Sequence, residues 1–408
     1  MAKGREIQVK RGGMTYHFIP TKKYKTNTFI LKIKAPLQKE DATKRALLAS
    51  VLQSGTKHYP SRAKMRAYLD DLYGASFSID LQKKGEYHII SISLEIANEQ
   101  FLSTPEPLLD RAIQFLHEVL FEPLVTNRAF QPEIVEREKR TLKQRIKALY
   151  DDKMRYASMR LIEEMCKEEP YSIPVNGILE EVDRIEPEDL YAYYERILAE
   201  DEMCEEKFSF PERTPQLVEP GHTFTREVEQ VVIEKQQVAQ GKLNIGYRTN
   251  IRYGDDDYFA LQMFNGLFGG FPHSKLFMNV REKASLAYYA ASRLESHKGL
   301  LLVMTGIETK NYERALAIIR EQLAAMKNGN FTEKEIEQTK AVIHNQMLET
   351  LDTSRGLTEV LYHNVISKKQ VTEEMWFEGI KQVTKEDIVR IAEKIVPDTV
   401  YFLSGLEA

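Results

Sequence analysis

Hydrophobic positions recur along this chain in two alternating rhythms, and the order of the rhythms occurs twice. Residues 28–33 and 242–247 carry β-branched and aliphatic side chains at strand spacing, and each run is followed by a stretch with apolar residues every three or four positions, 42–54 and 256–267. Residues 76–83 with 87–96, and 286–295 with 300–307, are rich in β-branched and aromatic residues and predict two hairpins. Long charged amphipathic segments at 132–150 and 332–351 then predict helices returning over the strands. Local phrases repeat in the same order: Val182-Asp183-Arg184-Ile185 near the end of the first half is echoed by Gln382-Val383-Thr384-Lys385 near the end of the second.

The fold expected is therefore α+β, with two similar domains, each a mainly antiparallel sheet covered by helices on one side. The boundary falls in the most proline-dense stretch: residues 1–210 form the first domain, 211–222 a linker and 223–408 the second. At 408 residues the chain exceeds the size at which one core stops growing, which agrees with this division. The first domain ends abruptly. After Ala199 the acidic run 200–206 leads almost directly to Phe210-Pro211, so a closing strand and helix look to be missing and a sheet edge is expected to be exposed.

Composition removes several function classes. A net charge of −4 lacks the basic excess of a nucleic-acid binder. No run approaches the length of a membrane span, and the first residues have no apolar signal segment. Cys166 and Cys204 are the two cysteines, and their spacing resembles no metal or disulfide motif, so reduced thiols of a cytoplasmic protein are expected. Glycines at 266, 269 and 270 follow a helical segment with no lysine at the end, which excludes a phosphate loop.

Two segments carry a more specific signal. The first is the helix-like run Ala46-Leu47-Leu48-Ala49-Ser50, followed by Gly55-Thr56. The second is Leu276-Phe277-Met278-Asn279-Val280-Arg281-Glu282-Lys283-Ala284-Ser285-Leu286-Ala287-Tyr288-Tyr289. Together they resemble the inverted zinc peptidases, the family of pitrilysin, insulysin and the mitochondrial processing peptidases. That family reads H-x-x-E-H at the first place, two imidazoles at i and i+4 gripping zinc with a Glu that activates water. Here Ala46, Ala49 and Ser50 stand at the three positions. The family's third ligand, a Glu on a later helix, aligns with Arg145, whose guanidinium cannot ligate a dication, whereas Glu138 keeps the supporting position. The resemblance thus implies a degenerate site with no metal in this chain.

In the second segment Arg281 and Tyr288 match an Arg/Tyr pair that, in the family, completes the active site when two clamshell halves close. Ser285 replaces the family's usual Gly. Phe77-Ser78 replace an Asn-Ala pair on the family's substrate-binding edge strand, and Phe77 reads as a packing residue. His58 reads as a solvated turn histidine. The resemblance implies a zinc-less subunit of a heterodimeric peptidase: a zinc-bearing paralogue would be the partner, zinc would reside there, and peptides would be the substrates, with a homodimer possible in isolation. Phrases such as Leu72-Tyr73-Gly74-Ala75 and Phe402-Leu403-Ser404-Gly405 further resemble a zinc-less Gram-positive group associated with aminopentanol modification of elongation factor P. That association implies, as the alternative, a non-proteolytic scaffold or accessory role.

Overall fold

The computed structural model describes residues 6–11, 14–103, 106–200, 202–204, 226 and 228–406. It divides into two compact units, Met1–Ala148 with Ile173–Pro220, and Leu149–Ser172 with Gly221–Ala408. In chain order the first part contains β1 (Ile7–Arg11), β2 (Met14–Phe18), β3 (Thr26–Pro36), α1 (Lys39–Leu52), α2 (Arg62–Asp71), β4 (Ser76–Lys84), β5 (Tyr87–Ala97) and α3 (Leu108–Phe121). A small ribbon of β6 (Val125–Thr126) and β7 (Ala129–Phe130) leads to α4 (Pro132–Asp151), α5 (Lys153–Met165), α6 (Leu179–Val182), α7 (Pro187–Glu200) and β8 (Glu202–Cys204). The remainder contains β9 (Gln230–Gln236), β10 (Gly241–Arg248), α8 (Tyr258–Asn265), β11 (Ala287–Glu295), β12 (Leu300–Ile307), α9 (Tyr312–Lys327), α10 (Glu333–Leu351), α11 (Ser354–Ser367), α12 (Glu373–Gln382), α13 (Lys385–Lys394) and β13 (Val396–Gly405).

The two sheets have one topology. The first runs β1-β2-β8-β3-β5-β4 and the second β11-β12-β10-β13-β9. In each, the neighbouring strands are antiparallel except for one parallel pair, β2 with β8 and β9 with β13. Reversing one order lays β4 on β11, β5 on β12, β3 on β10, β8 on β13 and β2 on β9. The internal repeat is therefore structural.

One expectation is corrected. The closing strand of the first sheet is present as β8, reduced to three residues against the ten of β13. It lies between β2 and β3, pairing with Lys32–Lys34 of β3 and Met14 of β2, while the missing helix falls on residues outside those described. The edges are β1 and β4. So short a strand has no hydrophobic alternation for sequence reading to detect. The expected linker, 211–222, lies outside the described residues.

Helix starts follow local chemistry. Pro132 opens α4, where its missing N–H costs nothing. Thr332 and Glu335 form a capping box on α10, and Thr384 and Asp387 another on α13. The first core gathers Leu31, Ile33, Leu47, Leu48, Ile92, Leu94 and Phe115, and the second Leu243, Ile245, Phe264, Phe268, Val303 and Phe402.

The second sheet has a further layer. Helix α5, which the boundary at 210 assigns to the first domain, groups with the second unit. There Leu161 and Met165 pack with Leu300, Leu302, Tyr401 and Leu403, on the face opposite α8 and α9. Approach is close enough that a Cβ on Gly246 would meet Met165 Sδ at 2.4 Å. Salt bridges anchor the end of this segment: Glu169 binds Arg248 at 2.6 Å and Lys298 at 2.6 Å, and Arg248 also holds Asp398 at 2.9 Å. The signal was legible in the unbroken apolar run Leu300-Leu301-Leu302-Val303, which marks a strand buried on both faces.

Candidate functional site

Three of the four positions that resemble metal ligands are buried in the first unit. Ala46, Ala49 and Ser50 on α1 are 0%, 3% and 2% exposed. The Ser50 hydroxyl turns back onto the Ala46 carbonyl at 3.4 Å, the usual local hydrogen bond of a helical serine. Glu138 on α4, wholly buried, is occupied: Ser54 Oγ donates to Oε1 at 2.9 Å, Arg137 to Oε1 at 2.9 Å and Arg62 to Oε2 at 2.9 Å. Arg145, two turns further along α4, is exposed and has no ion pair among the described residues. Two methyl groups, a back-bonded hydroxyl and guanidinium groups offer a dication nothing to bind, and the one carboxylate is neutralised twice over. Zinc does not fit this site. Among the described residues no group of three or more His, Cys, Asp or Glu side chains could hold a metal.

Sequence reading identified Glu138 but not its partners. Arg62 lies on α2 and reaches Glu138 across 76 positions of chain, so no local pattern pointed to it. His58 is 56% exposed in its side chain, with Nδ1 at 3.4 Å from Glu118 Oε2, as a turn histidine. On edge strand β4, the Phe77 ring packs edge-on against Phe115 at 5.1 Å and joins the core, while Ser78 donates to Asp80 at 3.1 Å.

In the second unit Arg281 and Tyr288 sit either side of one tight turn. Arg281 belongs to a π-helical turn, Phe277–Lys283, a geometry often found at functional sites. Its guanidinium lies over the Phe277 ring at 4.5 Å, near Glu282 at 3.5 Å. Backbone bonds close the turn: Ser285 N–H donates to the Arg281 carbonyl at 3.1 Å, and Leu286 N–H to that of Val280 at 3.1 Å. Ser285 has φ +54°, a left-handed conformation, so the turn that suits glycine is kept with a serine in it. Tyr288 then opens β11 and is 84% exposed. The next residue turns inward, and burial raises the Tyr289 phenol to about 12.

The glycine-rich stretch Gly266–Gly270 extends α8 as a π-helical turn, not a loop. A Cβ on Gly266 would meet Thr339 Cγ2 at 2.6 Å and one on Gly269 would meet Ser292 Oγ at 2.5 Å, so these glycines serve close packing.

This fold, with a stripped metal helix in one unit and an open Arg/Tyr turn in the other, is the architecture of an inactive peptidase, and comparison with known proteins agrees. The profile described as "Peptidase M16 inactive domain" matches residues 199–343. The chain belongs to the peptidase M16 family: it is 52% identical to the "Probable inactive metalloprotease YmfF" of Bacillus subtilis, over 98% of both chains. A second Bacillus subtilis relative, the "Uncharacterized zinc protease YmxG", is 28% identical over 30% of each chain. The crystal structure of a conserved protein from Enterococcus faecalis superposes with a TM-score of 0.91 at 36% identity, covering 98% of this chain and 99% of the other.

Proposed function

We propose that this chain is the zinc-less half of a two-chain peptidase, in which a zinc-bearing paralogue supplies the metal and its ligands while Arg281 and Tyr288 complete that paralogue's site. One asymmetry carries the reading. The positions that resemble metal ligands hold two core alanines, a buried serine and Arg145, without an ion pair among the described residues, whereas Arg281 and Tyr288 remain on open surface around a turn that tolerates left-handed strain at Ser285. A phenol left 84% exposed contributes little to folding, so its presentation is better explained by something it must touch. That relatives in one organism include both a protein named as an inactive metalloprotease and one named as a zinc protease supports a paired arrangement.

In such a pair the Tyr288 hydroxyl and the Arg281 guanidinium donate hydrogen bonds to the oxyanion that develops on a peptide carbonyl, an effect typically of about 3 kcal/mol per donor. The free edge of β4 offers backbone groups for an extended peptide to add as a strand, so short or flexible peptides are the substrate class. We place the pair in the cytoplasm on cysteine usage; among the described residues no helix is long and apolar enough to cross a membrane. The second reading is an accessory without proteolytic duty, for instance in modification of elongation factor P.

The test is peptidase activity on a quenched peptide library, with this chain, its zinc-bearing paralogue and their mixture assayed in parallel for turnover and zinc. Activity confined to the mixture, lost on chelation and reduced about a hundredfold by Tyr288→Phe or Arg281→Ala without dissociation, is the expected result. Turnover that both substitutions leave intact would overturn the roles given to Arg281 and Tyr288, and a stable complex without any turnover would move the chain to the accessory class.

A further inference from the structure

The strand that presents Tyr288 is fixed from its inner side. β11 and β12 pair residue for residue from Ala290 opposite Thr305 to Glu295 opposite Leu300, but Ala287 stands opposite Ile307 and the register shifts between Ala287 and Ala290. Tyr288 and Tyr289 therefore share a single partner position, Gly306, which is a β-bulge on an edge strand. Bulges of this kind re-aim one side chain, and removing one requires the strand to slip by a residue.

Three features hold it. The Tyr289 ring lies across Gly306, where a Cβ would come within 2.8 Å of Tyr289 Cε1 and 2.8 Å of Gln240 Oε1. Thr305 Oγ1 donates to the Tyr289 carbonyl at 2.7 Å. Lys242, directly opposite Gly306 on β10, brings its ammonium to 5.8 Å from the centre of the same ring. The Tyr289 hydroxyl is buried and has no hydrogen-bond partner among the described residues, so it is the ring's fit over the bare glycine, not its polar tip, that seats it. With Tyr289 committed inward, Tyr288 is the member of the bulge left to solvent, 84% exposed.

We propose that Gly306, Tyr289 and Thr305 form a lock whose role is to position Tyr288, and that it is the absence of a side chain at Gly306 that keeps Tyr288 turned toward a partner. The catalytic meaning of this lock rests on the function proposed above; its geometry does not. Gly306 and Tyr289 are positioning residues, and they touch no substrate.

The experiment reads the geometry and the turnover separately on the full-length chain. Tyrosine nitration by tetranitromethane, located by peptide mass spectrometry, reports which phenol faces solvent. In the unaltered protein Tyr288 is modified and Tyr289 protected. Gly306→Ala, and independently Tyr289→Ala, which removes volume and adds none, are expected to lower nitration of Tyr288 as the bulge closes. In complex with the zinc-bearing paralogue both should lower kcat about a hundredfold, the usual consequence of a catalytic group misplaced by about 1 Å, with KM little changed. Wild-type nitration of Tyr288 in folded Tyr289→Ala overturns the lock, whatever the turnover. Nitration that falls while turnover stays normal here and in Tyr288→Phe retains the lock and overturns the catalytic reading instead.

Discussion

At the residue scale, the side chains that resemble a stripped zinc site are built into the fold by ordinary hydrogen bonds and packing. Glu138 shows how. A carboxylate wholly removed from solvent needs compensation, and two guanidinium groups and a serine hydroxyl provide it. Because Arg62 and Arg137 are each about half exposed, solvent screens the pairs, and Glu138→Ala is expected to cost about 1–3 kcal/mol in urea unfolding. Ser285 is a second case. Its φ of +54° is left-handed, so Ser285→Gly should relieve strain and raise stability by up to about 1 kcal/mol, checked by the same measurement. His88 supplies a pH dependence. Burial, assisted by the nearby Arg45 charge, holds its imidazole down to about 3, against an ordinary value of 6.5. Between those values the unfolded chain binds more protons, so stability is complete above about pH 6.5 and declines as the pH falls toward 3, by about 2 kcal/mol at about pH 5. Unfolding free energies measured across that range should show a slope that His88→Leu flattens.

At the scale of elements, α1 illustrates why a motif cannot simply be written back. Its frame was legible from the spacing of Ala46, Ala49 and Ser50 ahead of Gly55-Thr56, but their burial was not, because it depends on what packs over the helix. Introducing Ala46→His, Ala49→Glu and Ser50→His together with Arg145→Glu puts large polar groups where 0% to 3% of the surface is open, at about 1–3 kcal/mol per overpacked position. The expected outcome is a destabilised protein without stoichiometric zinc by elemental analysis. Strands β4 and β11 carry the opposite lesson. Richness in β-branched and aromatic residues placed both hairpins, whereas the bulge at Tyr288-Tyr289 is invisible locally, since it exists only relative to Gly306 on the neighbouring strand.

At the scale of the molecule, the repeat evident in the sequence matches two sheets that share the order of five strands, yet chain halves and compact units do not coincide. Residues 149–172 come from the first half and complete the second unit. A fragment comprising 221–408 alone would uncover Leu300, Leu302, Tyr401 and Leu403, and would leave Arg248 without Glu169. It should bind a hydrophobic dye and aggregate, and adding residues 149–172 as a separate peptide should reduce both behaviours; no effect of that peptide would contradict the role given to α5. What the sequence by itself determined is whatever is encoded in neighbouring positions: the alternation that makes strands and helices, the repeat, the helix caps at Thr332 and Thr384, and the segments around Ala46 and Arg281 that resemble a zinc peptidase's. What only the tertiary structure decided is whatever depends on partners far apart in the chain. The capture of Glu138 by Arg62, the seating of α5 on Gly246, the place of β8 between β2 and β3, and the seating of Tyr289 over Gly306 are of this kind, because burial and register are properties of packed surfaces and not of segments.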